Sequence, residues 1–103
     1  VLNHCLALSR RTTQPTFAAV LIDPRSGRQM RVFTTQPGLL LYAGYYLDGQ
    51  IGKAGARYHR HAAICLEAQH FPNSPRMPNF PACVLRPGET YRHETRFEFS
   101  EAS

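Results

Sequence analysis

Residues 16–35 read TFAAVLIDPRSGRQMRVFTT, two runs rich in apolar residues around the string Asp23-Pro24-Arg25-Ser26-Gly27. That string is turn chemistry: an aspartate able to bond nearby backbone, a proline with fixed φ, and a glycine free to take positive φ. In the second run Met30 and Val32 alternate with Arg31 and Phe33, so each pair belongs to one face of a strand. The stretch predicts an antiparallel hairpin, which makes β-sheet the first hypothesis for the whole chain.

The rest of the chain reads the same way. VLNHCLAL (1–8) is a short apolar run broken by RRTTQP, and LLLYAGYYL (39–47) is continuous enough for a central strand closed by Asp48-Gly49. Residues 50–60 hold two glycines without a sustained period and read as a surface loop. HAAICLEAQ (61–69) has helix-favouring residues, but its brevity and flanks argue for a strand. Pro72, Pro75, Pro78 and Pro81 then exclude helix and interior strand. ACVL (82–85) reads as a brief strand and RPGE as a turn. TYRHETRFEF (90–99) alternates most cleanly, with Tyr91, His93, Thr95, Phe97 and Phe99 on one face. About seven short strands separated by turns predict an all-β, antiparallel β-sandwich with no helix beyond about two turns.

Composition bounds the function. The chain has 103 residues, enough for one small domain with a modest core. It opens at Val1, without methionine, in what reads as mid-strand, so we expect a fragment of a longer sandwich. Lys and Arg number 12 against 7 Asp and Glu, but they are scattered from Arg10 to Arg96. Nucleic acid would need a basic stripe with interleaved aromatics, so no nucleic-acid partner is expected. No apolar run reaches membrane-spanning length, and no membrane partner is expected. Cys5, Cys65 and Cys83 stand among apolar neighbours in no metal-ligand spacing and read as reduced, buried thiols of a cytoplasmic protein. The five histidines show no metal-pair spacing, and the expectation is no metal and no cofactor.

One carboxylate stands out. Glu67 closes the apolar run ICL, directly before the proline-studded stretch, and reads as a strand-end acid. Such a residue serves as a solvated surface acid, as an arginine partner, or as a general base. Tyr42, Tyr45 and Tyr46 offer rings that pack in a core or stack on a sugar.

Three stretches decide between these roles together: VFTTQPGLLLYAGYYLDG (32–49), ICLEAQHFPNSPRMPNFP (64–81) and VLRPGETYRHETRFEFS (84–100), preceded by NHCLAL at 3–8. In order and approximate spacing they resemble the C-terminal part of the aldose 1-epimerases, the galactose mutarotases. The resemblance covers nearly the whole chain but roughly the last third of a typical family member. It implies a β-sandwich of the galactose mutarotase type, residues 1–103 being a C-terminal segment of one domain whose upstream part completes the fold. It also implies cofactor-free interconversion of the α and β anomers of a hexose such as galactose or glucose.

In that resemblance Glu67 matches the general base, which takes the proton of the anomeric hydroxyl, and Gln36 matches a glutamine that holds sugar hydroxyls. His4 matches the histidine of an Asp-His pair, and Asn3 stands where a sugar-binding aspartate is usual. An amide still bonds hydroxyls but without the strength of a charged acceptor. Tyr45 replaces an asparagine common in the family. The acid histidine and the Asn-Arg sugar contacts belong to upstream sequence in the family, and no motif here matches them; the isolated segment is expected to be inactive. Two other readings stay open: a non-catalytic carbohydrate-binding β-sandwich module, and a relative acting on a hexose 6-phosphate, although no arginine cluster stands at these motifs.

Overall fold

The hairpin forms as the turn chemistry requires. In the computed structural model, which describes residues 2–9 and 12–102, the Asp23 carboxylate accepts from the Ser26 hydroxyl at 2.7 Å and from the Arg25 N–H at 3.2 Å. These bonds hold its carboxyl below the ordinary value, the Ser26 bond contributing most. Gly27 closes the turn at φ +78°, donating its N–H to the Asp23 carbonyl at 2.8 Å. The turn joins β2 to β3, and the described strands in chain order are β1 (Asn3–Ala7), β2 (Thr16–Ile22), β3 (Arg28–Thr34), β4 (Gly38–Tyr42), β5 (Gln50–Ile51), β6 (Arg57–Tyr58), β7 (Cys65–Gln69) and β8 (Thr95–Glu101).

Strand β3 is central to one antiparallel sheet in the order β2-β3-β8. Opposed residues share a face, so Ala19 and Leu21 of β2, Met30 and Val32 of β3, and Phe97 and Phe99 of β8 line one side. The alternation read at Met30–Phe33 is therefore real. Val32 is fully buried, but Phe97 and Phe99 are exposed. On the other side Phe17 meets Phe33 edge-on at 5.7 Å, and the Arg96 guanidinium lies 4.6 Å from the Phe33 ring centre. A bulge between Phe17 and Ala19 resets the register of β2.

The second antiparallel sheet has the order β1-β4-β7. Consecutive strands β3 and β4 belong to different sheets, and the corner Thr35-Gln36-Pro37 carries the chain between them. Residues 34–39 are all buried. The best-covered part of the described chain is thus a corner of mostly polar composition.

The all-β antiparallel expectation holds, and the described helices are two 3-10 turns, Lys53–Gly55 and Ser74–Arg76. No described helix is long and apolar enough to cross a membrane. Residues 61–69 do contain a strand, but only over Cys65–Gln69. Four readings need correction. The apolar run 39–47 stops as a strand at Tyr42, because Gly44 takes φ +70° and accepts the N–H groups of Leu47 and His61. Residues 50–60 are not wholly loop: β5 and β6 pair as a small ladder. Residues 82–85 form no strand; Pro81 and Pro87 on either side lack the N–H a ladder needs. Residues 90–94 leave the sheet, so Tyr91 and His93 do not share the face of Phe97 and Phe99. The cysteines differ as well: Cys65 is exposed, and Cys5 and Cys83 are half-buried.

Candidate functional site

Glu67 is not at a strand end but the middle residue of β7, an edge strand. It opposes Leu40, which opposes Cys5 in turn. One row away on the same face lie Cys65, Tyr42 and Asn3; one row the other way lie Gln69, Gly38 and Ala7. Rows on one face repeat every second residue, about 6.6 Å along the strand. The Glu67 carboxylate is exposed and has neither hydrogen bond nor ion pair among the described residues; the Arg96–Glu98 pair lies on the other sheet. Among the described residues the arginine-partner reading of Glu67 is therefore not realised.

Asn3 opens β1 on this same face, exposed and opposite Tyr42. His4, one residue on, takes the other face opposite Leu41 and Leu66, so the structure does not bring it to Glu67. In the same row as Glu67 but across Leu40, the Cys5 thiol is pushed up by burial, partly offset by the Gln69 amide 4.0 Å from its sulfur.

Gln36 sits in the buried corner just before β4, at the end of the sheet opposite to Asn3. Its backbone N–H donates to Thr34 Oγ1 at 3.1 Å, and its Nε2 donates to the Tyr91 hydroxyl oxygen at 2.7 Å. Its Oε1 is buried and has no hydrogen-bond partner among the described residues. A buried acceptor left so costs about 1–3 kcal/mol. The neighbouring threonines are tied to the same segment as Tyr91. Thr35 Oγ1 lies 3.0 Å from His93 Nδ1 and accepts the Glu94 N–H at 3.0 Å, while Thr34 Oγ1 is 2.9 Å from Thr95 Oγ1.

The sequence reading gave Tyr91 and His93 no role at this corner, because regular alternation assigned them to a strand. Their polar tips set between Thr90 and Glu94 were the available signal. His93 also touches His70 edge-on at 5.5 Å. An open hollow of about 710 Å³ lies between residues 12–14 and 92–94. It borders Thr35 and His93 but not Glu67, so it is separate from the carboxylate face. At the far end of β4, Tyr42 stacks on Tyr46 at 6.2 Å, and the Arg60 guanidinium lies 4.1 Å from the Tyr45 ring centre.

Chemically, this face offers one free carboxylate able to accept a proton, flanked along the sheet by amides able to bond hydroxyls. Comparison with known proteins gives the arrangement a context. The family model described as Aldose 1-epimerase matches residues 2–98. A galactose mutarotase of Sus scrofa is 46% identical to the chain over 97% of its length, but over 29% of the relative's own. The galactose mutarotase of Homo sapiens is also 46% identical, over the same shares. An aldose 1-epimerase of Escherichia coli (strain K12) is 31% identical over 94% of the chain and 29% of the relative. The chain thus spans less than a third of the length of the curated relatives it matches.

Proposed function

The chain belongs to the aldose 1-epimerase family, and from that premise we propose that it is the base-bearing C-terminal segment of an enzyme interconverting the anomers of a hexose. The observation that carries this reading is the exposed Glu67 carboxylate, without a partner among the described residues, on the same open sheet face as Asn3. Glu67 takes the proton of the anomeric hydroxyl as the bond from C1 to the ring oxygen breaks, and that oxygen is protonated by an acid from outside this segment. The open-chain aldehyde turns about its C1–C2 bond. Closure on the other carbonyl face returns both protons, so the cycle is balanced without a cofactor.

Asn3 and Gln36 hold sugar hydroxyls at opposite ends of β4, with Glu67 between them. His4, which the resemblance counts among the sugar contacts, lies exposed on the opposite face of β1. The test is Glu67→Gln in the whole epimerase, followed by polarimetry on freshly dissolved α-D-galactose. The amide keeps the shape and loses the proton-accepting charge, so turnover falls roughly a hundredfold to ten-thousandfold while sugar binding persists. Turnover within a few-fold of the parent makes Glu67 a surface acid and ends this reading. The free carboxylate favours it over a purely binding module, in which Glu67→Gln has nothing to abolish.

A further inference from the structure

The amide of Gln36 has two ends, a donor and an acceptor, and a sugar hydroxyl can bond either. What presents one end rather than the other lies outside β3 and β4. The segment 91–95 runs against the corner 34–36 and is bonded to it residue by residue, through Tyr91 to Gln36, His93 and Glu94 to Thr35, and Thr95 to Thr34. Among these contacts the Tyr91 hydroxyl is the one that reaches the Gln36 side chain, 2.7 Å from Nε2. The Tyr91 ring is otherwise exposed and rests against the His93 ring at 4.8 Å. The amide's opposite end, Oε1, is left without a partner among the described residues.

We infer that Tyr91 is a positioning residue for sugar binding: its hydroxyl engages the Gln36 amide N–H and reserves the carbonyl oxygen for a substrate hydroxyl. This rests on the proposed role of Gln36 in holding the sugar. Gln36 is 7% exposed, so the amide meets the sugar only at its edge. The terminal torsion of a glutamine is soft, and a small turn about it carries Oε1 to an arriving hydroxyl while the N–H stays on Tyr91. The unpartnered acceptor gains its donor only when the sugar is present, which adds to binding.

The test is a double-mutant cycle in the whole epimerase, with kcat and KM for a hexose read separately. Gln36→Ala raises KM. Tyr91→Phe keeps the ring and its His93 contact, and raises KM roughly threefold to tenfold with a much smaller change in kcat. In the Gln36→Ala background, Tyr91→Phe adds nothing further, because the group it positions is gone. A merely structural role predicts an equal penalty in both backgrounds, and that result overturns the proposal. So does an unchanged KM for Tyr91→Phe where Gln36→Ala raises it, and in that case the role of Gln36 stands. If Gln36→Ala alone leaves KM unchanged, the role of Gln36 fails and the proposal falls with it. Should Tyr91→Phe lose its fold, Gln36→Glu probes the same contact from the other side. Its carboxylate accepts from the Tyr91 hydroxyl and still offers the sugar an oxygen, so its KM stays closer to the parent than that of Gln36→Ala; a KM equal to the alanine variant's overturns the proposal.

Discussion

At the scale of single residues, Asn3 is the position proposed to tune sugar affinity, because the resemblance puts an aspartate there more often than an amide. It lies on the Glu67 face with its side chain exposed, opposite Tyr42. An aspartate there would accept the same hydroxyl with a full charge, and charge-assisted hydrogen bonds are about twice as strong as neutral ones. Asn3→Asp is therefore expected to lower KM for a hexose by roughly threefold to tenfold with little change in kcat, read from initial rates by polarimetry. A raised KM would mean that the new charge is felt chiefly as repulsion by Glu67 across the face. Neighbouring chemistry makes that contest a real one: the two side chains are one row and two strands apart, and the intervening Leu40 and Tyr42 carry no cation.

At the scale of elements, β4 ends where its sequence continues apolar, and Gly44 is the reason. Its φ is +70°, and a Cβ built there would lie 2.9 Å from the Ala63 carbonyl oxygen. Gly44→Ala thus meets both backbone strain and a clash with rigid main chain, and is expected to cost about 1–3 kcal/mol. Gly49, at φ +80°, has open space around its missing Cβ, so Gly49→Ala carries the strain alone and costs less. Urea midpoints at unchanged slope check both values and their order. The same contrast explains what the sequence made legible. The Asp23–Gly27 hairpin was readable because its turn is decided by five adjacent residues, and Met30–Phe33 because the period of two is local. The end of β4 was not, because it depends on Gly44 meeting residues 61–63, which are distant in sequence. Residues 90–94 misled for the same reason: their alternation is that of a strand, but their bonds go to the corner at 34–36. Of the candidate site, Glu67 was singled out through its motif, yet its mid-strand place on an edge and the Tyr91 contact of Gln36 are tertiary facts that no spacing carries.

At the scale of the whole molecule, the chain does not close a core of its own. Its accessible surface is 7926 Å² for 11.6 kDa, against about 5,800 Å² for a compact monomer of that mass. Its radius of gyration is 16.4 Å, where a compact chain of this length has about 13 Å. The extensive strand contacts are all within sheets, not between them. Phe17, Ile22, Phe97 and Phe99 remain exposed on the β2-β3-β8 sheet, and Leu6 on the other. In a sandwich such faces are covered by a second layer, and β7 and β8 leave edges that further strands can pair. The relatives carry more than twice this length again, which is material enough for both. Two consequences follow for the 103 residues in isolation. Open apolar faces and free edges make the chain self-associate, seen as concentration-dependent species in size-exclusion chromatography and as binding of a hydrophobic dye. On the reading proposed for Glu67 it also offers a base whose acid partner comes from elsewhere, and loss of one such partner costs roughly a hundredfold to ten-thousandfold in rate. Polarimetry on α-D-glucose or α-D-galactose is therefore expected to show mutarotation close to the uncatalysed rate. Rates near those of a complete epimerase from a monodisperse preparation would mean that this segment supplies its own acid, with His70 beside β7 the first histidine to replace by alanine.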